Sequence, residues 1–271
     1  MLTSNPFAGL AASISPAVMQ CYVILMVVLV VVGTFADVVH KGSARYFFEN
    51  WRKSRKKKGA KQVGGGELLS IAVQTAVVDV AASGEFCNPR RRISHLLGMY
   101  GFVLYVIATA VMVFDASAGA IWAQLWWLGG LMVCLGGYWF WFFIRVDVAA
   151  EGLSPLRFMK ADLFVVSLVG SVTLGLIWAA AGGGAGVLFG LYILATTVLF
   201  GSVFWSKFAH MFYKPAAAFE KRVTKANGTA ENLPTQTRDE PEQQQRHSMQ
   251  LLRNAPMDMG LGIKREAPRH Y

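Results

Sequence analysis

The stretch AVMQCYVILMVVLVVVGTFA, Ala17–Ala36, is followed almost at once by KGSARYFFENWRKSRKKKGAK, Lys41–Lys61. The first has no charged residue and is about 20 residues long, enough at ~1.5 Å per residue to cover the ~30 Å hydrocarbon core of a bilayer. The second is a dense basic stop. A cleaved leader would have a basic segment in front and a shorter apolar core, so the pair reads as a retained membrane span.

Four more segments repeat the pattern: about Leu96–Phe114, Ile121–Ile144, Leu163–Ala181 and Val187–Ser206, all without charge. A segment alone in lipid has to satisfy its own backbone, which makes each a helix. The predicted fold is therefore all-α: a bundle of about five transmembrane helices over residues 1–214, a short interfacial helix, and a polar, largely disordered tail over 215–271. Composition agrees. Of 271 residues 54% are hydrophobic and only 15% charged, where a soluble domain carries roughly 25% charged residues.

The loops set the orientation. Lys41–Lys61 is basic, Asp115–Ala120 has no Lys or Arg, Arg145, Arg157 and Lys160 fall between the third and fourth spans, and Gly182–Gly186 is uncharged. Everything after Lys207 is again polar and basic. Every Lys and Arg lies on one side in this reading, so the positive-inside rule puts the N-terminus outside and the tail in the cytoplasm. Trp51, Trp122, Trp126, Trp127, Trp139 and Trp141 lie at or near span ends, as interfacial aromatic belts do. The net charge of +10 needs no nucleic acid, since topology and anionic headgroups account for it. Glu67–Ser83 is apolar but carries Gln74 and Asp79, and reads as an interfacial or partner-facing helix rather than a sixth crossing.

Chemistry-bearing residues are few. Cys21 and Cys134 fall in apolar runs, and Cys87 has no C-x-x-C partner, so no disulfide framework or iron–sulfur spacing is present. No nucleophile–base pair, phosphate loop or zinc spacing marks an independent catalytic site. His40, His247 and His270 read as interfacial or solvated. His95 opens the second span and His210 closes the fifth, both at the cytoplasmic face. Two imidazoles facing each other across a bundle are what axial ligation of a b-type haem requires. Gly98 and Gly101 would let a flat macrocycle approach, and Arg90, Arg91, Arg92 and Lys207 would pair with its propionates. The competing reading makes both histidines interfacial and the arginines orientation signals.

CNPRRRISHLLGMYGF (Cys87–Phe102) and WSKFAHMFYKP (Trp205–Pro215) resemble the two histidine-bearing elements of the cytochrome b-type membrane subunits. These are similar to the gamma subunit of respiratory nitrate reductase and include the membrane subunit of a quinone-interacting oxidoreductase. The whole chain resembles the membrane anchors that accompany adenylylsulfate reductase in sulfur-oxidising bacteria. The resemblance implies at most one haem b, held by His95 and His210 with Arg91, Arg92 and Lys207 at the propionates. It further implies quinone as substrate and a cytoplasmic iron–sulfur flavoprotein such as adenylylsulfate reductase as partner. Two-haem members have a second histidine on each helix. Here the outer halves offer Tyr105, Met112 and Tyr192 instead, so the outer haem is expected to be missing.

A quinone site is implied without being specified; Tyr46, Asp147, Glu151 and Asp162 are polar residues near the inner surface. Three functions compete: an electron-transferring anchor, a haem-free anchor, and a small transporter. Uncharged spans without broken helices in matched halves disfavour the transporter, and Gly129, Gly130, Gly136 and Gly137 read as close helix packing.

Overall fold

The computed structural model describes residues 2–40, 42–57, 59–84, 86, 89–145, 156, 158 and 162–229. Cys87, Asp147, Glu151, Arg157, Lys160, the tail beyond residue 229 and the side chain of Tyr46 lie outside that description. The described residues are helical with no strand: α1 (Pro16–His40), α2 (Ser43–Lys56), α3 (Gly65–Gln74), α4 (Pro89–Phe114), α5 (Ala120–Trp139), α6 (Leu163–Ala180), α7 (Val187–Gly201) and α8 (His210–Ala226). Wider, π-type turns prolong α3 over Thr75–Ala81 and α5 over Phe140–Ile144. Four helices are long and apolar enough to cross a membrane: α1, α4, α5 with its extension, and α6, of 25, 26, 25 and 18 residues. α7 is equally apolar but has 15 residues, or about 22 Å.

Contacts divide the chain into two compact units. One comprises Met1–Gly42, Pro89–Asp147 and Leu153–Phe212; the other joins Ser43–Asn88 to the segment that begins at Tyr213.

In the membrane unit, lipid supplies no hydrophobic force between helices, so close approach of small residues decides the packing. α5 lies between two neighbours and turns a different pair of glycines to each. A Cβ on Gly129 would stand 2.7 Å from the Gly101 carbonyl oxygen, and one on Gly136 2.7 Å from that of Ser94, both on α4. Gly130 meets Leu176 and Gly137 meets Val169, both on α6. The seven-residue spacing within each pair puts its members on one helix face, and the one-residue offset turns the two faces apart. Ser94 Oγ adds a hydrogen bond to the Gly136 carbonyl at 2.8 Å. Gly98 and Gly101, expected to make room for a macrocycle, are on this seam: Gly101 abuts Gly129, and the Gly98 nitrogen lies 3.0 Å from where a Gly136 Cβ would be.

A segment ahead of α1 closes one end of this unit. Asn5 Nδ2 donates to the Met112 carbonyl at 2.9 Å. Phe7 packs against Trp126 and Trp178, with ring centroids 6.0 and 5.2 Å away. Gly183, at φ +70°, has no room for a side chain beside the Pro6 carbonyl, which is why the α6–α7 turn needs glycine there. Trp126 is no belt residue: it is fully buried, with its indole N–H on Thr109 Oγ1 at 2.9 Å. At the other end Arg91 donates to the Ile144 carbonyl at 3.4 Å, and Arg145 bonds Asp162 from Nε at 2.8 Å. Asp162 is thereby half of a buried ion pair.

Two boundaries differ from expectation. The last apolar run leaves the helix at Gly201, and residues 202–209 form successive turns in which Ser206 Oγ accepts the Phe208 N–H. His210 therefore opens α8 instead of closing the fifth span. α8 then runs on through Pro215 into the expected tail, because Pro215 removes one N–H near the helix start and the following AAAFEKRVTKA is rich in helix formers.

In the second unit, α2 packs on α8. Trp51 stacks on Phe219 at 5.9 Å, Asn227 Nδ2 donates to Ser54 Oγ at 2.7 Å, and the Asn227 carbonyl accepts the Lys61 N–H at 3.0 Å. Arg222 on α8 grips Asp79 on the α3 extension with two hydrogen bonds, of 2.6 and 2.9 Å.

Candidate functional site

The residues singled out in the sequence converge on one end of the membrane unit. His95 is half-buried in the second turn of α4, and His210 is half-buried at the start of α8. His210 Nδ1 meets the Lys207 carbonyl. If that nitrogen carries the proton, Nε2 is left as an acceptor, which is the tautomer a metal ligand uses. Arg91 lies on the carbonyl end of the α5 extension, where a cation satisfies the helix terminus; Arg92 is half-buried and Lys207 exposed.

Phenylalanine rings pack beside the two histidine-bearing elements. Phe102 stands seven residues from His95, on the same face of α4 and about 10 Å further in. Its ring packs edge-on against Phe208 at 6.1 Å, and Phe208 precedes His210 by two residues. Phe164 and Phe200 complete the cluster, 5.3 and 5.9 Å from Phe208, and Phe164 also meets the His210 ring edge-on at 6.0 Å. The α4 face that carries His95 is thus joined ring to ring with the turn that carries His210. The donors have the right chemistry, and a phenylalanine cluster packs against the turn that carries one of them.

Further out, Tyr105 and Tyr192, the residues noted where a second histidine pair would stand, do meet. Tyr105 donates to the Tyr192 hydroxyl at 3.2 Å. Trp126 stacks on Tyr105 at 4.8 Å and Trp178 on Tyr192 at 5.6 Å, making a continuous aromatic layer.

Sequence reasoning missed an open feature of this unit. An apolar cavity of about 660 Å³ lies between α1 and the α4, α6 and α7 helices, bounded by Phe7 at one end and Phe212 at the other. It exists because α1 stands off the bundle: 11% of its span is buried, against 50% for α6. Neither histidine lines it. Most hydroxyls in its wall are occupied: Tyr22 donates to the Ile193 carbonyl at 3.1 Å, Thr196 to that of Tyr192 at 2.8 Å, and Ser171 to that of Leu168 at 3.0 Å. Thr34, in the last third of α1, differs, for its Oγ1 is buried in the wall without a hydrogen-bond partner. A threonine in a valine-rich helix was the one signal available. No family model, curated protein or solved structure matches this chain.

Proposed function

We propose that this chain is the membrane anchor of a cytoplasmic iron–sulfur flavoenzyme of the adenylylsulfate reductase kind, and that the cavity beside α1 admits the quinone that exchanges electrons with that enzyme. The anchor sits in the bacterial cytoplasmic membrane with its N-terminus outside. The enzyme docks on the cytoplasmic side, where Lys214, Lys221 and Lys225 stand exposed on α8.

The observation that carries the reading is the cavity with its single unpartnered hydroxyl. A quinone is a mostly hydrocarbon molecule whose carbonyls accept hydrogen bonds. An apolar chamber with one free donor, near the end of α1 that leads into the basic segment, matches that chemistry. The haem-free form of the anchor is favoured over the haem-bearing one by the phenylalanine packing between the histidine-bearing elements.

The test is to purify the tagged chain from its native membranes and assay the attached enzyme with a soluble quinone. An iron–sulfur flavoprotein co-purifies, and Thr34→Val raises the KM for quinone about fivefold, the worth of one hydrogen bond. Activity with a soluble electron-accepting dye is unchanged. Absence of any oxidoreductase would sink the anchor reading, and an unaltered KM the quinone site. A b-type α-band in the reduced-minus-oxidised spectrum, lost in His95→Ala and His210→Ala, would restore the haem.

A further inference from the structure

The second unit has an exposed surface that the quinone reading does not employ. α2 turns Asn50 and Ser54 inwards, with Trp51 against Phe219. Its opposite face carries Arg45, Phe48, Arg52 and Lys56, spaced by three, four and four residues and all exposed; they form one stripe. Phe48 is 60% exposed in the middle of it. Beside the stripe lies an open depression of about 620 Å³, lined by Glu49, Arg52, Lys53, Lys56 and Lys57. Its lone carboxylate is matched, since Arg45 Nε bonds Glu49 at 2.8 Å and holds that carboxyl below its ordinary pKa. The depression thus presents four cations, of which Lys57 also donates to the Thr229 carbonyl at 3.5 Å.

α3 has a comparable imbalance. Ile71 and Thr75 are buried, while Leu69, Val73 and Val77, four residues apart along the other side, are 67%, 55% and 58% exposed. Basic residues ringing an aromatic, with an aliphatic stripe in the same unit, make up the signature of a helix pair lying in a headgroup layer. Chain connectivity favours lipid over an acidic protein as the occupant. α2 begins at Ser43, three residues beyond the last residue of α1, and the segment ends where α4 begins, so both its ends are tied to spans. A polybasic cluster immediately next to a span is the arrangement that draws anionic lipid.

We propose that α2 and α3 form a peripheral platform on the inner leaflet, with Arg52, Lys53, Lys56 and Lys57 holding anionic phospholipid headgroups while Phe48 and the Leu69–Val73–Val77 stripe enter the acyl boundary. The platform depends on α1 crossing the membrane, not on the enzyme or the quinone. The full chain is reconstituted in nanodiscs of phosphatidylcholine, with and without phosphatidylglycerol, and amide hydrogen exchange is followed in residues 43–57 and 66–81. Exchange is expected to slow about fivefold or more with phosphatidylglycerol, a factor of about five being the worth of one basic contact. Neutralising the four exposed side chains together (Arg52→Gln, Lys53→Gln, Lys56→Gln, Lys57→Gln) abolishes the slowing in 43–57. Leu69→Asp exposes 66–81 and leaves 43–57 protected. Equal exchange in the two kinds of disc overturns the proposal. So does equal protection by poly-glutamate added to phosphatidylcholine discs, which would assign the surface to an acidic protein.

Discussion

At Gly129 a single hydrogen atom on Cα sets how closely α4 and α5 approach. The position a Cβ would take is 2.7 Å from the Gly101 carbonyl oxygen and 2.7 Å from the Tyr105 nitrogen, both backbone atoms that cannot swing aside. Gly129→Ala must part the two helices or bend one, at a cost of about 1–3 kcal/mol. Gly98, three residues from Gly101, has nothing within 4 Å of its own Cβ position. Gly98→Ala is therefore neutral or slightly stabilising, because alanine is the better helix former. Thermal unfolding of the two variants in one detergent separates them. Equal midpoints would mean that the glycine seam does not hold the helices together. The same contrast answers what the glycines next to His95 are for: Gly101 serves its neighbouring helix.

Among elements, α3 and its extension depend on one contact with α8. The Asp79 and Arg222 side chains are 13% and 25% exposed, so their paired hydrogen bonds are only partly screened by water. Asp79→Asn keeps the shape but removes the charge and one acceptor, and loosens the contact by about 1–2 kcal/mol. Faster amide exchange confined to residues 66–81 is the expected mark; unchanged exchange would show that other contacts hold the segment. This pair also marks what a sequence can and cannot convey. That Glu67–Ser83 is a helix outside the spans was legible from an apolar run interrupted by Gln74 and Asp79. That Asp79 is satisfied by an arginine 143 positions away was not, because nothing local records a distant partner. The long spans were legible since lipid leaves a charge-free run of about 20 residues no alternative to a helix. The break at Gly201 was hidden because Phe204 and Trp205 continue the apolar composition past the end of the helix. α8 was hidden by the polar tail with which it was averaged and by Pro215. The two histidines were legible as donors. The phenylalanine rings packed between their elements were not, since Phe102, Phe164, Phe200 and Phe208 read equally well as lipid-facing residues until the helices are placed.

For the whole molecule, the membrane unit itself shows which connections share an end. Asn5 reaches Met112, and Pro6 lies against Gly183, so the N-terminal segment, the 115–119 turn and the 182–186 turn lie together. None of the three contains Lys or Arg. At the opposite end are Arg91 on the Ile144 carbonyl, the Arg145–Asp162 pair, and His40 against Phe204 at 5.5 Å. The cationic connections follow there. The segregation found in the sequence is thus a segregation of the two ends of one bundle, and the proposed orientation puts the positive end in the cytoplasm by the positive-inside rule. A cysteine-free background (Cys21→Ser, Cys87→Ser, Cys134→Ser) carrying either Ala116→Cys or Lys56→Cys tests this in intact spheroplasts. Both positions are exposed, so access depends on the membrane alone. A membrane-impermeant maleimide should label Cys at 116 directly and at 56 only after permeabilisation. The reverse pattern would invert the orientation and move the exposed α8 lysines away from any cytoplasmic enzyme. Labelling of both from outside would mean an even number of crossings between them, so that residues 65–81 cross together with α4 or α4 does not cross at all.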